Sequence, residues 1–463
     1  MTRAPVRLQR IAATLLAAVL AGSGLLVGSA LPAAADDIRD KEHWLGGSGI
    51  TKAWEVSKGA GVKVAVIDSG VDASHPDLKG AVTGGFDASG AGSPDGLKSI
   101  GAKPEHGTLV ATMLAGRGHP APSTASPSPS ASPTPSASPT AGGPDGIIGV
   151  APEAEILSVS TWLGSVNPGG KSDLDQIPEA VRWAVDNGAS VINISLGSTS
   201  PQWPQSWDAA FLYAEQKDVV IVAAAGNRVG GNVQVGAPAT VPGVLTVAGL
   251  DRSGVASVDS SSQGIAIGVA APAEDLVGGL PGGQYAEWEG TSGATPIVAG
   301  VAALIRSKWP DMPARDVINR IVATAKDAGA PGKDPLYGFG VLDAEAALKA
   351  DVPKVSQNPL GTIAGWIQVH RRGQAPTAAP APTSEVAPAV PTLPAATVPA
   401  AVPPSARDSV VAGAVVIGFA LLFVAMVVVA AIQLRRAYKN PALLREEADT
   451  GVVQTVEQGP KPS

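Results

Sequence analysis

Four side chains have the types that nucleophilic acyl chemistry needs, and they occur in the order Asp68, His106, Asn227, Ser292. They lie in the segments Val64-Ala65-Val66-Ile67-Asp68-Ser69-Gly70, His106-Gly107-Thr108, Ala223-Ala224-Ala225-Gly226-Asn227 and Gly290-Thr291-Ser292-Gly293-Ala294-Thr295-Pro296. A serine hydroxyl is a weak nucleophile at neutral pH until a neighbouring base takes its proton, and that base must be oriented and charge-balanced by an acid. The oxyanion formed when a carbonyl is attacked needs a donor, which an asparagine amide can supply. Ser292, His106, Asp68 and Asn227 fit those four roles in turn.

The surrounding sequence supplies elements that would position them. Lys63 to Ile67 is a short, β-branched apolar run closed by Ser69-Gly70, which reads as a buried strand with Asp68 at its carboxyl end. His106 opens a helical stretch through Ala115 whose small residues, Gly107, Ala111 and Ala115, allow close approach to a neighbour. Val219 to Val222 reads as another buried strand running into Asn227. Gly290-Thr291-Ser292 precedes an alanine-rich helix running to about Lys308, with Pro296 expected in its first turn. Taken singly, each residue has an ordinary structural reading: a turn for Asp68, a structural imidazole for His106, a turn for Asn227, an N-cap for Ser292. Four such patterns in one order, each at a strand end or helix start, point to a joint site.

At these residues the chain resembles the subtilisin-like serine proteases (subtilases, peptidase family S8), whose triad has the order Asp, His, Ser. The resemblance covers about residues 43 to 350. It extends to Val71-Asp72-Ala73-Ser74-His75-Pro76-Asp77-Leu78, Gly149-Val150-Ala151-Pro152 and Val191-Ile192-Asn193-Ile194-Ser195-Leu196-Gly197. It implies that Ser195, Leu196 and Gly197, with Ala224 and Gly226, line a substrate cleft and pair with the peptide backbone as an added strand. It assigns His75 to a structural turn without chemistry. The serine motif departs from the family's common ending in reading Gly293-Ala294-Thr295-Pro296, which keeps small residues where the helix must pack. No cofactor is expected; subtilases often bind calcium, but no acidic loop here names a site. Buried strands alternate with helical stretches such as 177–187 and 209–216, so the expected fold is α/β with a mainly parallel central sheet and helices on both faces, and the resemblance implies a subtilisin-like three-layer domain.

The chain ends add topology. Arg3, Arg7 and Arg10, an apolar stretch from Ile11 to about Leu31, and Ala33-Ala34-Ala35 read as a signal peptide over 1–35. Residues 410–432 contain no charged or strongly polar side chain, and as a helix would rise roughly 34 Å, enough for a single transmembrane helix. Arg435, Arg436, Lys439 and Arg445 follow, so the tail from 433 to 463 is expected inside and the catalytic domain outside the cell membrane. The remaining boundaries are an N-terminal segment at 36–58, a peptidase domain at 59–350 and a Pro/Ala-rich linker at 351–409. A Pro/Ser-rich insertion at 120–141 interrupts the domain, and a small apolar cluster of Ile363, Trp366, Ile367 and Val369 has no assigned place. There is no cysteine, which excludes thiol catalysis and thiolate metal sites. The net charge of −7, without a basic block, gives no sign of nucleic-acid binding.

This layout, with a short N-terminal segment containing Asp40-Lys41-Glu42-His43-Trp44-Leu45 where secreted subtilases carry a folding propeptide, is similar to that of the mycosins. Mycosins are membrane-anchored subtilases of actinobacterial type VII secretion systems. The resemblance implies protein or peptide substrates, a membrane anchor and type VII membrane components as partners. Two alternatives stand beside it: a generic cell-surface subtilase, and a mainly structural component of a secretion complex.

Overall fold

The computed structural model describes residues 35–120 and 143–371. Three short helices, α1 (Ala35–Asp40), α2 (His43–Gly47) and α3 (Ile50–Ala53), lead into strand β1 (Lys63–Asp68). Then follow β2 (Val82–Asp87), α4 (His106–Ala115), β3 (Arg117–His119), β4 (Asp145–Ile148), β5 (Glu155–Ser160), α5 (Asp173–Asp186) and β6 (Val191–Ile194). Next are α6 (Gln205–Gln216), β7 (Val220–Ala224), β8 (Leu245–Leu250), β9 (Ile267–Pro272), β10 (Leu276–Leu280) and β11 (Gln284–Trp288). Helices α7 (Thr291–Lys308), α8 (Ala314–Ala323), α9 (Ala344–Lys349) and α10 (Ile363–His370) complete the described chain.

Seven strands form one sheet in the order β2-β5-β1-β6-β7-β8-β9, every neighbouring pair parallel. The expected α/β fold with a parallel sheet is what is found, and the strand sequences say why. Along β1, Val64 and Val66 enter one core while Ala65 and Ile67 enter the other; along β7, Val220 and Val222 oppose Ile221 and Ala223 in the same way. Side chains alternate across a strand, so a run with no polar position must be covered on both faces. One face is covered by α4, α7 and the N-terminal helices, the other by α5 and α6.

The N-terminal segment is part of the first core: Ile38, Trp44, Leu45 and Ile50 are all buried there. It also carries a buried carboxyl, Glu42, which accepts from the Ile148 N–H at 3.2 Å and lies 3.3 Å from Arg39. Burial pushes this carboxyl well above the usual range, more than the Ile148 bond and Arg39 bring it down. The folded state thus holds the Glu42 proton more tightly than the unfolded chain does. Its stability contribution is complete below the unfolded value and is lost as pH rises through the folded one. Glu42→Gln, which keeps the shape without titrating, is expected to gain melting temperature over wild type as pH is raised from 4 to 8. Thermal unfolding at both pH values tests this, and a difference independent of pH would refute it.

Two expectations need correction. The linker does not begin at 351: residues 351–371 pack on the domain, and the apolar cluster without an assigned place forms α10. Glu215 accepts from the Ile363 N–H at 2.8 Å, Ile363 is buried, and Trp366 packs against Trp203 with ring centroids 4.5 Å apart and the rings tilted by 47°. Arg371 closes the contact with a 2.8 Å bond to Asp208. The second correction is that Pro296 is the sixth residue of α7, in its second turn. The proposed signal peptide up to residue 34, the 120–141 insertion beyond Pro120, the linker beyond 371, the 410–432 apolar run and the tail lie outside the described residues. Among the described residues no helix is long and apolar enough to cross a membrane.

Candidate active site

Strand order places β1 between β5 and β6, so the chain winds to one side of β1 and then crosses to the other. In open parallel sheets a crevice forms at the carboxyl ends of the strands where the order reverses. Asp68 is the last residue of β1, Ser195 follows β6 directly, and Asn227 lies three residues past β7.

Asp68 is fully buried, and its Oδ1 accepts from the Ser69 N–H at 2.7 Å and lies 2.8 Å from His106 Nδ1. The approach of α4 to β1 is made possible by Gly107, where an added Cβ would lie 2.3 Å from the Gly70 carbonyl oxygen. Ser69 fastens the junction: its hydroxyl accepts from the Gly107 N–H at 2.9 Å and donates to the Pro104 carbonyl at 3.1 Å. Burial disfavours the imidazolium of His106, but the Asp68 carboxylate, through charge and hydrogen bond, outweighs it and raises the group above its ordinary value. An acceptor at Nδ1 leaves Nε2 facing the cleft as the basic nitrogen.

Ser292 is the second residue of α7, and the proline at 296 explains its surroundings. Pro296 has no N–H, so the Ser292 carbonyl lacks its partner one turn on. The Ser195 hydroxyl takes that place, donating to the Ser292 carbonyl at 2.9 Å, and itself accepts from Asn193 Nδ2 at 3.0 Å. In return, Ser292 Oγ donates to the Ser195 carbonyl at 3.0 Å. No hydrogen bond joins Ser292 to His106 in this state.

Asn227 is fixed by Thr291. The Thr291 N–H, a donor only, lies 2.9 Å from Asn227 Oδ1, which settles which end of the amide is oxygen. The Thr291 hydroxyl donates to the same oxygen at 2.9 Å and accepts from the Gly226 N–H at 3.0 Å. The Nδ2 donors are left uncommitted beside Gly290, where φ is +127° and an added Cβ would come within 2.6 Å of Nδ2. Only glycine allows this contact.

Of the expected cleft residues, Leu196 and Gly197 line a cavity with Asp68, His106 and Ser195. An added Cβ on Gly197 would lie 3.9 Å from the Ala224 carbonyl, so the Ser195–Gly197 and Ala223–Gly226 segments face each other. Ala224 is buried, the Gly226 N–H donates to the Thr291 hydroxyl, and neither residue lines this cavity. His75 is fully buried and caps Pro76–Leu78, with Nδ1 accepting from the Asp77 N–H. Among the described residues no cluster of three or more acidic or histidine side chains could hold a metal ion.

Sequence reading missed Thr291, Asn193 and Trp288. Trp288 meets the His106 ring edge to face, centroids 5.7 Å apart, and gave no local signal because it comes from the β10–β11 hairpin. Thr291 and Asn193 were visible inside the quoted motifs, but only the hydrogen-bond network gives them work.

The geometry agrees with what the chain is similar to. The subtilase family model matches residues 59–340. Mycosin-1 of Mycobacterium tuberculosis is 35% identical over 355 residues, covering 66% of this chain and 72% of its own. The MycP3 protease from the type VII (ESX-3) secretion system is 33% identical in sequence; its structure superposes with a TM-score of 0.54 over 70% of this chain and 91% of that one. A chain in the periplasmic assembly from the ESX-5 inner membrane complex is 31% identical, with a TM-score of 0.56, covering 76% of this chain and 92% of that one. Parallel sheet, carboxyl-end site and sequence likeness agree: the chain belongs to the subtilase family of serine peptidases and is related to the mycosins.

Proposed function

We propose that the protein is a membrane-anchored, extracytoplasmic serine endopeptidase that cleaves peptide bonds through an acyl-enzyme and works with a type VII secretion apparatus. The observation that carries the catalytic part is the 2.8 Å pairing of buried Asp68 with His106 in a cavity also lined by Ser195, whose hydroxyl donates to the Ser292 carbonyl. In the proposed cycle Ser292 releases the Ser195 carbonyl, turns its hydroxyl to His106 Nε2 and attacks the scissile carbonyl as the proton passes to the imidazole. Asp68 balances the imidazolium, Asn227 Nδ2 donates to the oxyanion, and His106 then protonates the leaving amine. Water repeats the sequence on the ester and frees the enzyme.

Asn227→Ala is expected to lower kcat by about 10²–10³, the range known for loss of the corresponding type of donor in subtilisin, with KM little changed. Steady-state kinetics on one peptide substrate decides it; a drop confined to KM would mean that Asn227 binds ground state instead. The direct test of the whole reading is fluorophosphonate labelling of wild type beside Ser292→Ala. Labelling present in the first and absent in the second supports it, and a folded wild type that resists labelling sinks it.

The secretion role is supported by likeness to MycP3 and to a chain of the ESX-5 assembly, and the anchor by the 410–432 run. The ESX-5 likeness also favours a second role, holding a membrane complex together. Co-purification of membrane proteins with Ser292→Ala separates the two: a scaffold keeps its partners when the nucleophile is gone.

A further inference from the structure

We infer that Lys103 makes the cleft select peptides with an acidic residue, glutamate above all, in the second position before the cut. The inference rests on the peptidase reading and names its substrate class. A cavity of about 350 Å³ opens beside the Asp68–His106 pair. Ile100, Leu163 and Leu196 give it apolar walls, and Lys103 is the one cationic side chain that lines it. The one carboxylate there, Asp68, is buried and committed to His106. Lys103 is exposed and has no ion-pair partner among the described residues. Its charge is felt inside the cleft, because it opposes protonation of the His106 ring. Glu105, which acts on that ring in the other direction, does not line the cavity.

A peptide added as a strand along Ser195–Gly197 turns successive side chains to opposite sides. With the attacked carbonyl between Ser292 and Asn227, the preceding residue directs its side chain toward His106 and this cavity. A glutamate there lays its methylenes on the apolar walls and brings its carboxylate to the unpaired ammonium at the rim. Glutamine fills the same volume without the charge, and lysine meets like charge.

The test uses the purified full-length chain and peptides that differ only in Glu, Gln or Lys at that position. Each peptide competes with fluorophosphonate labelling of Ser292, so the readout does not depend on turnover. Wild type should be protected by the Glu peptide at about 3- to 5-fold lower concentration than by the Gln peptide, the scale of a half-solvated ion pair. The Lys peptide should protect least, and 1 M NaCl should flatten the series. Lys103→Gln should remove the preference, and Lys103→Glu should reverse it. Equal protection by Glu and Gln in wild type, or an order that neither variant moves, overturns the inference. Failure of folded wild type to label at all would strike the Ser292 assignment beneath it instead.

Discussion

Ser292→Ala is expected to lower kcat by about 10⁶, and His106→Ala by a similar factor, because nucleophile and base act as one unit. Without Oγ no acyl-enzyme can form, and without the imidazole the hydroxyl keeps its proton at neutral pH. The effect should be non-additive: the double variant should be scarcely slower than either single one. The residual rate comes from the oxyanion donor and from substrate binding, which neither change removes. Substrate affinity should survive, since the alanine variant loses the Oγ bond to the Ser195 carbonyl but keeps the Ser195 hydroxyl on the carbonyl of residue 292. Turnover by Ser292→Ala within tenfold of wild type would sink the assignment. So would additive losses in the double variant, which would mean that Ser292 and His106 act independently.

Asp68→Asn should cost about 10⁴ in kcat while leaving the fold intact. The carboxylate accepts at Oδ1 from two donors, the Ser69 N–H and His106 Nδ1–H. An amide can satisfy both only if its oxygen takes that position, and it lacks the charge that balances an imidazolium. The pH profile carries a second signature. His106 must be neutral to act as base, and its proton is held more tightly than the ordinary value of 6.5, so kcat/KM of wild type should fall on acidification with a midpoint above 6.5. Removing the Asp68 charge leaves burial as the main influence on His106, which favours the neutral ring. The acid limb of Asp68→Asn should therefore move to lower pH even as the plateau drops. A limb that stays in place, or moves up, would show that Asp68 does not govern His106.

Much of this protein was legible because its signals are local. An apolar β-branched run that ends in Asp68 says strand wherever it occurs, and two-sided burial of Val64 to Ile67 follows from its having no polar position to expose. Helix starts at His106 and near Ser292 were likewise visible from small residues and glycines. The end of the domain was misread because residues 351–371 lead, through Pro353, Pro359 and Gly361, into the Pro/Ala-rich run beyond them, while their anchor, Glu215, lies on α6 far away in sequence. Pro296 was misplaced because a helix can carry a proline in its second turn when another group takes the carbonyl it orphans, and that group, Ser195, lies just past β6, far away in sequence.

The sequence by itself determined the kinds of chemical group available, their order along the chain and the strands and helices that carry them. Only the tertiary structure decided which atoms meet: that Asp68 reaches His106 Nδ1, that Thr291 turns the Asn227 amide, that Ser195 and Ser292 clasp each other, and that Lys103 borders an apolar cavity without a partner. Strand and helix signals depend on neighbours within a few residues, whereas these contacts join positions 38 to 97 residues apart, or 64 for Thr291 and Asn227, and exist only once the sheet has been wound.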